Sequence, residues 1–133
     1  MTWKNALKNQ VGDRLHCLCG DLFEVFGGRA TRRFDAILSR AVMEHLYDPL
    51  AALDDMAQCL TPGGIMIHRI DLRDHGMFAG HHPLTLLTLS DGLHRRITEG
   101  AGRPNRVLVP AYRAWLAASG LTGGITISRL AGV

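Results

Sequence analysis

The stretch FDAILSRAVMEHLYDPLAALDDMAQCLTPGG, Phe34 to Gly64, decides the fold. It opens on a short apolar run, Phe34 to Leu38, that ends at Ser39-Arg40. Continuous apolarity without alternation marks a strand covered on both faces. A polar loop carrying His45 follows, and then a helix: Asp48 suits the N-cap and Pro49 the first helical position. Leu53, Met56, Ala57 and Leu60 fall at i, i+3, i+4 and i+7, the stripe of an amphipathic helix. Asp54 and Asp55 lie early in it, where the helix dipole favours negative charge. Thr61-Pro62-Gly63-Gly64 stops the helix, because proline cannot continue it and glycine accepts the left-handed turn. Gly64 to Ile70 is the next buried strand. Strand, crossover helix and parallel strand form the unit of an open α/β sheet. Ligands on such sheets bind beyond the carboxyl ends of the strands. The loops after Ser39 and after Ile70 are therefore where function is expected.

Upstream of this unit, Trp3 to Asn9 reads as the tail of a helix and Leu15 to Cys19 as a short strand ended by Gly20-Asp21. Downstream, His75 to Pro83 is a loop rich in glycine and histidine. Leu84 to Ile97 reads as helical with a break near Ser90-Asp91-Gly92. Pro110 to Ser119 is a helix with Tyr112, Trp115 and Leu116 on one face, capped by Gly120. Ile125 to Leu130 is the expected final strand.

The chain has 133 residues, which points to a single domain. Hydrophobic content of 47% and charged content of 20% fit a globular protein. No apolar run approaches the roughly 18 residues that span a bilayer, and the start MTWKNALKNQ lacks the apolar centre of a signal peptide. The net charge of +3 is mild, and the arginines are spread, with no basic stripe interleaved with aromatics. A nucleic-acid partner is not expected from such a distribution. The three cysteines, Cys17, Cys19 and Cys59, are an odd, low count without a secretion signal, so a reducing, cytoplasmic setting is expected. Cys17 and Cys19 point to the same face of their strand. No second ligand pair stands at a useful spacing, so they read as small buried residues and no metal is expected there.

His45 is the sharpest candidate for chemistry. An imidazole titrates near neutrality and can take a proton from a hydroxyl or amine. The alternative is that it packs on the crossover helix and fixes its loop, and Glu44 beside it reads as solvent-facing. His68, Asp71, His75, His81 and His82 cluster in sequence after the second strand of the unit. Their spacing matches no standard zinc pattern, so the loop reads as part of an acceptor pocket. Asn105 and Arg106 read as structural, before the last helix.

The segment from Asp21 to Gly64 resembles class I S-adenosylmethionine-dependent methyltransferases. Four pieces carry the likeness: Gly20-Asp21, FDAILS at Phe34 to Ser39, VMEHLYDP at Val42 to Pro49, and LTPGG at Leu60 to Gly64. Each alone is weak, but in this order and spacing they are fairly specific. The likeness runs on less clearly through RPNRVLVPAYRAWLAASGL. It implies an α/β fold: a truncated Rossmann-like sheet, mainly parallel, of about four strands with flanking helices, the third, fourth, fifth and sixth of the family lying side by side. It implies S-adenosylmethionine as cofactor and methyl transfer to a small-molecule acceptor. Asp21 would accept a hydrogen bond from the adenine amino group and Leu22 would offer its backbone N–H. Ser39 and Arg40 would line the cofactor at the fourth strand's end.

The family's glycine-rich loop is not matched, since no Gly-x-Gly occurs upstream of Phe34. The chain therefore reads as the latter part of such a domain, with weakened cofactor binding expected. The Phe34–Leu38 strand is left with an open edge, and an open edge invites pairing with a second copy or another subunit. A non-catalytic module that self-associates through that edge is the competing reading.

Overall fold

A computed structural model of the chain describes residues 34–102 and 104–130. Within them lie β1 (Phe34–Arg40), α1 (Pro49–Gln58), β2 (Leu60–Arg69), α2 (Asp91–Thr98) and α3 (Val109–Ala118). Two short 3₁₀ turns, Met43–His45 and Thr85–Thr88, sit between them. Asp21, Leu22 and the expected Leu15–Cys19 strand lie outside the described residues.

β1 and β2 pair in parallel with α1 as the crossover, as the sequence pattern requires. The ladder runs Ala36↔Ile65, Ile37↔Met66, Leu38↔Ile67, Ser39↔His68 and Arg40↔Arg69. Between Phe34 and Ala36 the register slips, because Thr61 to Gly64 loop out of β2. Pro62 has no N–H for a ladder, and Gly63 takes a φ of 81°, which glycine adopts without steric cost. Gly64 is needed for space: a Cβ there would lie 3.0 Å from both the Phe34 and the Thr61 carbonyl oxygens.

α1 starts where expected. The Asp48 side chain accepts from the Ala51 amide at 3.0 Å, and Pro49 opens the first turn. Its buried face is Pro49, Ala52, Leu53 and Met56. The sequence stripe ran one turn too far: the helix ends at Gln58, so Leu60 is a strand residue. Pro62 keeps Thr61 out of helical geometry, so the helix cannot run on through this turn.

The core joins Ile37, Met43, Ala52, Leu53, Met56, Cys59 and Tyr112, with Met66, Ile70 and Trp115 packed against it. α3 is tied to α1 by the Trp115 indole N–H, which donates to Asp54 Oδ1 at 2.7 Å. The break before α2 falls where the sequence put it, with Ser90 capping the helix by accepting from the Leu93 amide.

The expected four-strand sheet is corrected to two strands among the described residues. Ile125 to Leu130 forms no strand, and every residue from 121 to 130 is exposed. The segment alternates like a strand but makes no ladder with β2 among the described residues, and its residues stay exposed. It lines one side of a cavity of about 760 Å³ whose other walls include β2 and Tyr112, Trp115 and Leu116 of α3.

The Gly64 contacts give a direct test. Gly64→Ala is expected to lower stability by about 1–3 kcal/mol, since backbone oxygens must give way. Gly92→Ala, in α2 with nothing within 4 Å of its Cβ, should be neutral or slightly stabilising. Urea unfolding midpoints of the two variants would decide the point; equal midpoints would contradict it.

Candidate functional site

The parallel pairing brings the carboxyl ends of β1 and β2 to one edge, and the polar residues gather there. Just past β1, Ala41 takes a φ of 53°, a left-handed conformation unusual for alanine, and its N–H donates to the Arg69 carbonyl at 3.0 Å. His75, in the loop after β2, has the same φ of 53°. Strained non-glycine backbone of this kind concentrates at functional sites.

The Met43–His45 turn is held from three sides. Asn105 Nδ2 donates to the Met43 carbonyl at 2.9 Å and the Leu46 carbonyl at 2.8 Å. The Asn105 amide donates to the Glu44 carbonyl at 2.6 Å. Asn105 Oδ1 in turn accepts from the Val107 amide at 3.0 Å, which fixes the carboxamide's orientation.

Glu44 is the main correction at the site. It was expected in solvent and is 1% exposed. Its Oε1 accepts from the Asp71 amide at 3.2 Å, so one carboxylate ties the loop after β1 to the loop after β2. Its Oε2 is buried with no hydrogen-bond partner. Carboxylates are almost never fully buried unless paired, which is why sequence reasoning put this one outside. Tyr112, 6% exposed, lies near enough to feel it: burial first, and then the Glu44 charge, push the phenol up to about 12.

His45 is half-buried, with Nδ1 shielded and without a partner. Its ring meets that of His75 edge-on, with centroids 5.0 Å apart and planes at 69°. His75 Nε2 lies 3.8 Å from Asp71 Oδ2. Asp71 is gripped by Arg73, Nε to Oδ1 at 2.9 Å and Nη2 to Oδ2 at 2.5 Å. That fork holds the Asp71 carboxyl well below its usual range, at about 2.

Ligand atoms of Glu44, His45 and His75 all lie within 4.8 Å of one another. One carboxylate and two imidazoles at that separation are a donor set that could hold a divalent cation. The histidine cluster read from the sequence is thus regrouped. His75 joins the site, His81 and His82 are exposed, and His68 is turned elsewhere.

Ser39 and His68 face each other across the ladder, with Ser39 Oγ and His68 Nδ1 2.7 Å apart. Burial holds the His68 imidazole below its ordinary value, so it favours the neutral ring. The Ser39 hydroxyl is therefore engaged, and Arg40 is the exposed side chain at that strand end. Arg106 is structural: it donates to the Leu89 carbonyl at 2.7 Å and to Asp91 Oδ1 at 2.5 Å. The large cavity touches Asp71 and Tyr112 but not Ser39, Arg40 or His45.

The Asp71 grip implies a pH signature. Folding lowers the Asp71 pKa from 3.8 to about 2, so its contribution is full above 3.8 and is lost as pH falls through about 2. The melting temperature of Asp71→Asn should lie below that of the parent at pH 6, and the two should converge as pH falls toward 2. A gap that stays constant with pH would contradict this origin.

Comparison with known proteins shows the family. The family model of a methyltransferase domain matches residues 4–122. The ubiquinone biosynthesis O-methyltransferase of Parvibaculum lavamentivorans is 51% identical over 62 residues, 47% of this chain and 23% of that protein. The ubiquinone biosynthesis O-methyltransferase of Cereibacter sphaeroides (strain ATCC 17029) is 50% identical over 38 residues, 29% of this chain and 15% of that protein. These matches thus cover less than a quarter of the relatives' length. No solved structure matches the chain. With a methyltransferase model spanning nearly all of its residues, the chain belongs to the class I methyltransferase family, whose methyl donor is S-adenosylmethionine.

Proposed function

We propose that this chain carries the acceptor side of an S-adenosylmethionine-dependent O-methyltransferase, acting on a hydroxyl of a small molecule. The observation that carries the reading is His45: an imidazole with a shielded, unpartnered nitrogen, on a turn locked by Asn105 and Glu44 at the carboxyl edge of a parallel sheet. The names of the two relatives support oxygen as the acceptor atom.

The described residues fit the cofactor in part. The strand end at Ser39 and Arg40 is where a ligand of such a sheet lies, and Arg40 is exposed there. Asp21 and Leu22 are proposed for the adenine end. The cofactor, when bound, supplies an activated methyl group on a sulfonium.

The protein's task is then alignment and proton removal. The loop from Asp71 through His82 would lie against the acceptor, with His75 set beside His45. His45 would accept the hydroxyl proton as the oxygen–carbon bond forms, and the His75 ring and the Asn105 clamp limit where the imidazole can go. Burying a carboxylate oxygen without a partner costs about 1–3 kcal/mol, a cost that persists where chemistry uses the charge.

Two measurements test this reading. Transfer of labelled methyl from S-adenosylmethionine to a panel of phenols and alcohols should be detectable with the parent. It should fall about 10²–10⁴-fold in kcat for His45→Ala. The affinity for S-adenosylhomocysteine, read by calorimetry, should be unchanged in that variant. Equal rates in parent and variant, or no transfer by the parent with both ligands saturating, would sink the proposal. Asn105→Ala should lower stability by about 1–3 kcal/mol, from carbonyls left unpaired, and reduce kcat more than it raises KM. An Asn105→Ala variant as stable and as active as the parent would show that the clamp does not position His45.

A further inference from the structure

The cavity beside β2 runs along an unpaired strand edge. The Ala41 N–H donates to the Arg69 carbonyl, so Arg69 turns its peptide groups toward β1. Peptide groups alternate sides along a strand in a parallel ladder, so Met66 and His68 turn theirs the other way. Among the described residues β2 pairs with β1 alone, and both Met66 and His68 line the cavity. An unpaired edge of this kind is a template for a further strand.

The far wall lacks a partner too. Residues 122–130 all line the cavity, and none of them makes a backbone hydrogen bond to a described residue. Ile125, Ile127 and Leu130 stay 36%, 53% and 63% exposed. Between the two walls lie about 760 Å³, closed on one side by Tyr112, Trp115 and Leu116 of α3. A lipid-like ligand there would cover the aliphatic side chains and leave both rows of peptide groups without partners. An added strand satisfies side chains and peptide groups together. The lining also carries two unpaired cations. The Arg69 and Arg129 guanidiniums make no ion pair or hydrogen bond among the described residues, whereas Arg73 is held by Asp71.

We propose that the space between β2 and residues 122–130 takes an extended strand from another polypeptide. That strand carries aliphatic side chains at alternate positions and a carboxylate, from an acidic residue or a chain terminus, that meets Arg69 and Arg129. Its backbone pairs with Met66 and His68 on one side and with residues 122–130 on the other. The strands of a second copy do not fit this slot. An occupant needs two free edges, and β1 and β2 each spend one on the other.

Hydrogen–deuterium exchange of the full chain tests the proposal, with a synthetic decapeptide of alternating valine and threonine, ending in a free carboxylate, as the probe. In the chain alone, the amides of Met66, His68 and residues 122–130 should exchange without protection at two protein concentrations. Saturating peptide should slow them at least about tenfold. Methylating alternate amide nitrogens of the peptide should weaken its binding, read by calorimetry, by about tenfold or more, since hydrogen bonds are lost. Replacing both arginines, Arg69→Gln with Arg129→Gln, should weaken the carboxylate peptide several-fold and leave its amidated form unchanged. Protection already present without peptide would overturn the proposal, because the slot would then be filled by the chain itself or by a second copy. So would no binding of the peptide at millimolar concentration, equal binding of the methylated peptide, or binding of dodecanoate in its place. If the doubly substituted chain does not fold, the exchange and methylation results on the native chain decide alone.

Discussion

The parallel ladder between β1 and β2 is the constraint on which the rest depends. Two strands running the same way cannot be joined by a hairpin, so the chain between them must cross over, and α1 is that crossover. The same pairing puts both carboxyl ends on one edge. Two loops distant in sequence, Ala41–Tyr47 and Asp71–Pro83, therefore become neighbours. A single carboxylate, Glu44, can then bridge them by accepting the Asp71 amide. Without the ladder, His45 and His75 would have no reason to meet.

What gathers at that edge is a polar cluster inside an otherwise apolar core. Glu44 Oε2, His45 Nδ1 and the Tyr112 hydroxyl are all buried and unpartnered. Buried polar groups in folded proteins are overwhelmingly satisfied, so a group of exceptions in one place points to use rather than to stability. The strained backbone at Ala41 and His75 lies at the same place. Asn105, by contrast, is fully employed, and it gives the cluster its rigidity. The Asp71–Arg73 fork adds local order on the exposed side and keeps Asp71 ionised over the ordinary pH range.

Much of the fold was legible because its signals are local. Asp48 and Pro49 announce the start of α1 through cap geometry that needs no partner, and Pro62-Gly63-Gly64 announces the return to a strand. Ser90-Asp91-Gly92 marks the break before α2 for the same reason. The failures concern what only the folded state supplies. Glu44 reads as solvated until the Asp71 amide is known to lie beside it. That the Ser39 hydroxyl meets His68 across the ladder, 2.7 Å away, is likewise supplied only by the strand pairing. Ile125 to Leu130 alternates like a strand, yet alternation sets only which way side chains point and cannot provide a neighbour. The sequence singles out His45 and puts His75 in a pocket loop, but that the two rings meet and that Asn105 clamps the His45 turn depends on contacts between distant segments.

Ligand binding and chemistry are proposed to meet at the carboxyl edge of β1 and β2. Hydrogen–deuterium exchange of the full chain with and without saturating S-adenosylhomocysteine tests it most directly. Slowed exchange is expected at amides of residues 39–46, extending to 71–75 through the Glu44 bridge, with α2 unchanged. Protection confined to other parts of the chain, or no change anywhere under saturating ligand, would contradict it.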